Sequence, residues 1–311
     1  VGQAELGDSV DFKDRIILGD AEVVMARMDE ASVGLVFGSP PYGDARAYGI
    51  DFKLKGQGWV DWMVPKVLAS LRVCKGLVAF VVEGKTRKFR WSATPALLMA
   101  DLHRVGVHLR KPPLYRRDGI PGSGGPDWLK NHYELIVCCT NGGKLPWSDN
   151  AAMGHPCKFG PGGAPSHRTK SGKPVGDRPL EADMGEPPAA TSKRIGRHRA
   201  RRQAGHAYKP PRKANPGNIV DCGCGGGGQI GSKLAHENEA PFPEILAEFF
   251  IRSFCPPGGI VLDPFAGSGT TCAVAAKMGR HFIGIDIRES QVQLAEKRLR
   301  ESCPLLLEAR K

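Results

Sequence analysis

Ser39-Pro40-Pro41-Tyr42 is the run of residues best suited to chemistry in this chain. Two consecutive prolines fix φ and remove two backbone donors, so their carbonyls are left to accept hydrogen bonds from outside the chain. With a hydroxyl on one side and an aromatic face on the other, the tetrad makes a socket for a flat, amino-bearing ring such as a nucleobase. The plainer alternative is a Pro-Pro turn carrying a surface tyrosine.

A second segment, Ile260 to Thr271, reads as an apolar strand, a Gly-rich turn and a helix start that Thr270 or Thr271 could cap. The helix continues through Ala273-Val274-Ala275-Ala276 towards Gly279, and a further strand, His281 to Asp286, ends in a carboxylate. Such a βαβ unit binds nucleotide-type cofactors: glycines admit the ligand to the backbone and the terminal acid accepts from ribose hydroxyls. Gly267, Gly269 and Asp286 are the candidate contacts. A full G-x-G-x-x-G is missing, which disfavours a dinucleotide, and no P-loop motif is present.

The elements that must position these residues follow from hydrophobic patterning. Strands are expected over 15–20, 33–38, 76–83, 107–117 and 133–140 before an irregular stretch, with two more at 260–263 and 281–286 after it. Helices are expected over 21–28, 59–73 and 95–105. In the second of these, Trp59, Met63, Val67 and Leu71 form an apolar stripe read as core. Residues 43–58, with four glycines among charges, read as a loop beside the tetrad. The surface acids Asp14 and Asp29 read as solvated charges.

A hydrophobic content of 41% supports a sizeable core, and 40 Gly with 25 Pro imply long loops. Ten of the net twelve positive charges fall in 151–215, where 14 Lys/Arg face 4 Asp/Glu. This Gly/Pro-rich stretch, centred on Lys193, Arg194, Arg197, Arg199, Arg201 and Arg202, points to a polyanionic partner. Nine cysteines, several in apolar runs such as Cys138, Cys139 and Cys272, read as reduced, buried thiols. His155-Pro156-Cys157 and Cys222-Gly223-Cys224 lack the usual spacing of a zinc site, so no metal is expected. With no signal peptide and no membrane-spanning stretch, a cytoplasmic protein of prokaryotic or phage origin is expected.

Taken together, Ser39–Tyr42 and Leu262–Thr271, in that order, resemble the amino-group DNA methyltransferases of the circularly permuted β class, which use S-adenosyl-L-methionine. The segment His236–Glu244 and the turn Gly19-Asp20 are similar to further motifs of that class. The resemblance implies an α/β fold: a Rossmann-like methyltransferase sheet, mostly parallel with one antiparallel strand, plus an irregular basic insertion. It divides the chain into a catalytic half (1–150), a target-recognition insertion (151–215) and a cofactor-binding half (216–311).

It also implies roles. Ser39 and the Pro40 carbonyl would accept the amino hydrogens of a flipped base, and Tyr42 would stack on the ring, with Pro41 completing the catalytic tetrad. Phe265, Pro264, Gly267, Gly269 and Thr270 would form the cofactor loop, and Asp286 would bind the ribose. Asp263 would orient the loop or the methionine amino group. Asp20 would meet the adenine amino group or cap its helix, and Phe242 and Pro243 would shape the methionine end. Double-stranded DNA is the implied partner, bound by a monomer or homodimer, with a restriction endonuclease as a possible companion. A serine at the first tetrad position favours cytosine N4 over adenine N6. RNA or protein-amide methylation, and a non-catalytic nucleic-acid-binding relative, are the alternatives.

Overall fold

The computed structural model describes residues 11–43, 52–117, 123–156, 213–222, 234 and 241–303. The chain divides into two compact units, Val1–Met153 with Gly217–Lys311, and Gly154–Pro216. In the second unit, Pro156 bridges to Lys213 and the Ala214 amide donates to the His155 carbonyl. The six basic residues from Lys193 to Arg202, Cys157, Cys224 and 236–240 lie outside the described residues.

The first unit is built on one nine-stranded sheet, with β1 (Arg15–Leu18), β2 (Val33–Gly38) and β3 (Cys74–Val82) among its strands. The rest are β6 (His108–Arg110), β7 (Leu114–Arg116), β8 (Tyr133–Thr140), β9 (Ile219–Asp221), β10 (Ile260–Asp263) and β11 (His281–Asp286). The path across it is β1-β11-β10-β2-β3-β8-β7-β9, with β6 also paired to β8. β8 is antiparallel to β3, β6 and β7, while the remaining pairings are parallel. Eight strands therefore run one way and β8 alone runs the other, as the resemblance implied. β2 is buried along its whole length, which accounts for its unbroken apolar character.

Helices α1 (Ala21–Ala26), α2 (Gly56–Val73) and α3 (Thr94–Arg104) pack their apolar faces on one side, around Met25, Trp59, Met63, Leu98 and Leu102. On the other side lie α4 (Glu244–Phe254), α5 (Thr270–Lys277) and α6 (Glu289–Ser302). There Phe250 stacks on Phe37 with ring centroids 4.7 Å apart. The crossover from β2 to β3 uses the first face and that from β10 to β11 uses the second. The carboxyl ends of neighbouring β2 and β10 thus form the topological switch point, where open α/β sheets hold their ligands.

The structure revises several expectations. The strand expected over 107–117 breaks into β6 and β7 because Pro112 and Pro113 carry no N–H for the ladder. The loop expected to reach residue 58 gives way to α2 at Gly56. Asp14 is not a solvated charge: it accepts from the Phe282 amide (3.2 Å) and contacts His281 Nδ1 (2.8 Å), tying the N-terminal segment to β11. A short hairpin, β4 (Thr86–Arg87) with β5 (Arg90–Trp91), the helices α4 and α6, and β9 go beyond the sequence expectations. Cys74, Cys138, Cys139, Cys222, Cys255 and Cys272 are free, buried thiols.

Candidate active site

A cleft of about 880 Å³, open to solvent, lies at the switch point. Its wall is formed by Ser39, Pro40 and Pro41 after β2, by Pro264, Phe265 and Gly267 after β10, and by Asp286 at the end of β11 with Ile287 and Arg288 beyond it. Gly19, Asp20 and Ala21 close it below β1, and Phe52, Trp62 and Lys66 line the α2 side. The two motifs, more than 200 residues apart in the chain, open on one space because β2 and β10 are hydrogen-bonded neighbours.

The tetrad is held from a distance. Ser39 Oγ donates to the Val81 carbonyl of β3 (3.3 Å) or to the Tyr42 hydroxyl (3.2 Å), and the Tyr42 hydroxyl donates to Glu134 Oε2 (2.7 Å). Glu134 is buried at the entry of β8, and its other carboxylate oxygen is paired with Arg117. From α2, the fully buried Trp59 donates its indole N–H to the Pro41 carbonyl at 2.7 Å. Of the two proline carbonyls expected to face outward, the one of Pro41 is therefore occupied within the chain. Pro40 keeps its own available among the described residues. Beside Glu134, burial first and then the Glu134 charge push Glu83 up to about 7.

The Gly-rich turn is wired locally. Asp263, buried at the end of β10, accepts the Phe265 amide (3.0 Å), and Asp286 accepts the amides of Gly267 and Arg288 (2.9 Å each). Burial, with the Asp286 charge adding to it, pushes Asp263 up to about 7. Gly267 has φ +50°, a left-handed conformation that glycine adopts without strain.

Gly269 serves a purpose other than the one expected. Its φ is +75°, and a Cβ there would stand 2.8 Å from Ala295 Cβ, so its bareness lets α5 pack against α6 rather than admitting a ligand. Thr270 neither caps α5 nor reaches the cleft: it is buried and accepts from Arg298 at 2.7 Å. The N-cap is Gly269. Asp263 fills the first of its two expected roles: it supports the turn from beneath and does not line the cleft.

The remaining expected residues divide. Asp20 caps α1 through the Glu22 and Val23 amides, the second of the roles expected for it, and also borders the cleft. Phe265 lines the cleft, its ring 5.8 Å from Trp62 and 5.9 Å from Phe80. Phe242 meets Phe37 edge-on at 5.5 Å in the core of the opposite sheet face, and Pro243 is the buried N-cap of α4. Neither is part of the cleft wall.

Sequence reasoning missed Lys66, Glu134 and Arg117. Lys66 is 4% exposed and pairs with Glu22 at 2.5 Å, 4.3 Å above the Trp62 ring. Its signal was a lysine placed on the apolar stripe of α2. For Glu134 the signal was a carboxylate inside an apolar strand, since a buried charge needs a partner. Among the described residues no three His, Cys, Asp or Glu side chains cluster as a metal site requires, and no helix is long and apolar enough to cross a membrane.

A switch-point cleft between a Gly-rich βα turn and the Ser39-Pro40-Pro41 edge, on a sheet with a single reversed strand, belongs to a Rossmann-like methyltransferase fold, with Tyr42 set behind the cleft wall. The family model of the N6/N4 DNA methylases matches residues 33–297, and the chain belongs to that family. The fold is similar to that of PvuII DNA methyltransferase, a cytosine-N4-specific enzyme, with TM-score 0.60 and 18% identity, covering 91% of this chain and 85% of the other. It is also similar to a Thermus thermophilus protein assigned as a DNA modification methylase and complexed with S-adenosyl-L-methionine: TM-score 0.55, 24% identity, 94% and 95% covered. Among curated relatives, the type II methyltransferase HinfI of Haemophilus influenzae is 47% identical over 72 residues, 23% of this chain. The orphan methyltransferase BamHII of Bacillus amyloliquefaciens is 46% identical over 68 residues, 22% of this chain. The matches span 20% and 26% of those relatives' own lengths.

Proposed function

We propose that this chain methylates the exocyclic amino group of a base in double-stranded DNA, cytosine N4 ahead of adenine N6, using S-adenosyl-L-methionine. The observation that carries this is the shared cleft: Ser39 and Pro40 border the same space as Phe265, Gly267 and Asp286. The cleft suits the cofactor. Asp20 and Asp286 supply acceptors, and Trp62, Phe52 and Phe265 supply aromatic faces that favour a cation. Lys66, the one buried cation on the wall, is neutralised by Glu22. Asp286 would take the ribose and Asp20 the adenine edge; the bound cofactor supplies an electrophilic methyl group.

The chain's own residues would act on the base. An exocyclic amine is a poor nucleophile because its lone pair is delocalised into the ring. Ser39 Oγ and the Pro40 carbonyl would accept its two hydrogens, turning the lone pair towards the cleft and stabilising positive charge as it develops on nitrogen. Ser39 can accept because its own hydrogen is directed to Val81 or Tyr42. Tyr42, held by Glu134, would present its ring to the extruded base.

The basic segment 151–215 is proposed as the part that reads DNA, supported by its charge. The relatives named as type II methyltransferases support a restriction endonuclease companion. Tritiated S-adenosyl-L-methionine and plasmid DNA, followed by nucleoside digestion, test the reading. Label in N4-methylcytosine is expected. Label in N6-methyladenine would overturn the base preference alone, and unlabelled DNA would overturn the reading.

A further inference from the structure

The β4–β5 hairpin has no part in the cleft and concentrates exposed cations and aromatic rings. Lys85, Arg87, Lys88, Phe89, Arg90 and Trp91 are all exposed, Phe89 by 70% and Trp91 by 44%. No acidic residue occurs from Gly84 to Ala100. A soluble surface normally mixes charges and hides its aromatics, so four cations interleaved with two bare rings call for a ligand that is both anionic and flat.

The hairpin is built to project those groups. Lys88 and Phe89 have φ of 48° and 61°, the left-handed pair of a tight two-residue turn, which puts Phe89 at the tip. The base of the hairpin is closed by Ser92, whose amide donates to the Lys85 carbonyl and whose Oγ accepts the Lys85 amide, each at 3.0 Å. Gly84 leaves room for the Trp91 indole, since a Cβ there would lie 2.5 Å from Trp91 Nε1. Behind the tip, Trp128 meets Phe89 edge-on with centroids 5.4 Å apart. Phe89 is thus braced on one side and open on the other.

Its position relates it to the tetrad. The hairpin follows β3 directly, and Val81 of β3 is the residue whose carbonyl accepts from Ser39. Lys85 lies four residues further, so no more than about 14 Å of extended chain separates the two. That is within the footprint of a duplex whose target base has entered the cleft. Extrusion leaves an unstacked gap and an unpaired partner base, both of which offer a π-face.

We propose that the Lys85–Trp91 hairpin is a DNA-contacting surface separate from the basic insertion. Its cations hold backbone phosphates beside the target, and Phe89, backed by Trp128, stacks on a base exposed by extrusion. This rests on the DNA amino-methyltransferase reading above.

The test uses the full chain and a fluorescein-labelled duplex followed by anisotropy across a salt series. The double variant Lys88→Gln/Arg90→Gln should bind roughly tenfold more weakly, with the slope of log affinity against log salt shallower by about 2, near 0.9 per phosphate contact. Phe89→Ala should keep the slope, yet lose methyl transfer at least ~10-fold more on a fully paired duplex than on one mismatched at the target. Calorimetry with S-adenosyl-L-methionine should give unchanged affinity in both variants, showing that they fold. An unaltered affinity and slope in the double variant, or equal losses on paired and mismatched duplex for Phe89→Ala, would overturn the proposal. So would single-stranded RNA competing better than duplex DNA. Should the wild type bind duplex but transfer no methyl group, the function reading fails alone. The anisotropy arm still decides the phosphate contacts, and 2-aminopurine fluorescence at the target position replaces turnover for Phe89.

Discussion

The tetrad and the Gly-rich turn face each other across one cleft, yet they are held in opposite ways. The turn is fixed from within its own βαβ unit, by two carboxylates that accept its amides. The tetrad is fixed by side chains from elsewhere: Trp59 of α2 on the Pro41 carbonyl, and Glu134 of β8 on the Tyr42 hydroxyl. The first arrangement survives as long as a short segment does. The second requires three elements to dock correctly, so the geometry proposed for catalysis depends on tertiary packing, while that of the Gly-rich turn is nearly a local property.

The most severe way to break this contrast is to strike where the two halves touch. A Cβ at Gly38 would stand 2.2 Å from Asp263 Oδ1, so Gly38→Ala forces β2 and the root of the turn apart. Destabilisation of about 3 kcal/mol, the upper end for overpacking, is expected, with cofactor binding and methyl transfer both lost. Denaturant melts and calorimetry would read it, and a wild-type melting curve would show that the halves are not coupled there. Next in size, Ser39→Ala should reduce methyl transfer roughly 100- to 1,000-fold while cofactor affinity stays put, because only an acceptor for the developing ammonium is removed. Unchanged turnover would take Ser39 out of the chemistry.

Glu134→Gln sharpens the comparison further. It leaves the cleft wall intact but loosens Tyr42 and unpairs Arg117, so transfer should fall about 100-fold with cofactor affinity retained. A weakened cofactor affinity would mean that the two regions share one support. Asp286→Asn should do the converse, weakening cofactor binding about tenfold by blunting a charge-assisted contact, with little change in DNA affinity.

The smallest effect is on pH dependence. Asp263 and Glu83 keep their protons to about 7 in the folded chain, above their ordinary values. The folded state then binds more protons than the unfolded one from the ordinary carboxylate range up to about 7, so stability is full at acid pH and declines as pH rises through that window. Asp263→Asn and Glu83→Gln should each flatten the fall in Tm between pH 4.5 and pH 7, the range from Glu83's ordinary value to its shifted one. An unaltered fall would return both groups to ordinary behaviour.

Much of this was legible because its causes are local. Strand β10, the Gly-rich turn and β11 are adjacent in sequence, so pattern and spacing were enough to place Gly267 and Asp286, and the resemblance added Phe265. The reversed strand and the shared cleft came from the order of motifs. What was not legible depends on partners far away in sequence. Gly269 looked like a ligand contact because its neighbour Ala295 lies on α6, and Thr270 looked like a cap because Arg298 was out of view. Trp59 read correctly as core, but its indole N–H found Pro41 only once α2 docked. The charged hairpin 85–91 escaped because its strands are two residues long, too short for any alternation to register.

The lone reversed strand has one more consequence. β7 leaves the sheet at Arg116 and β8 re-enters it at Tyr133, and these two residues pair with each other at the edge that bears the cleft. The connection between them therefore starts and finishes on the side that bears the cleft. Residues added or lost in it would reshape the rim of the site without shifting strand register or touching the cofactor turn. In evolutionary terms, a reversed strand leaves a length of chain at the cleft's edge that can vary while the strands and the cofactor turn stay fixed.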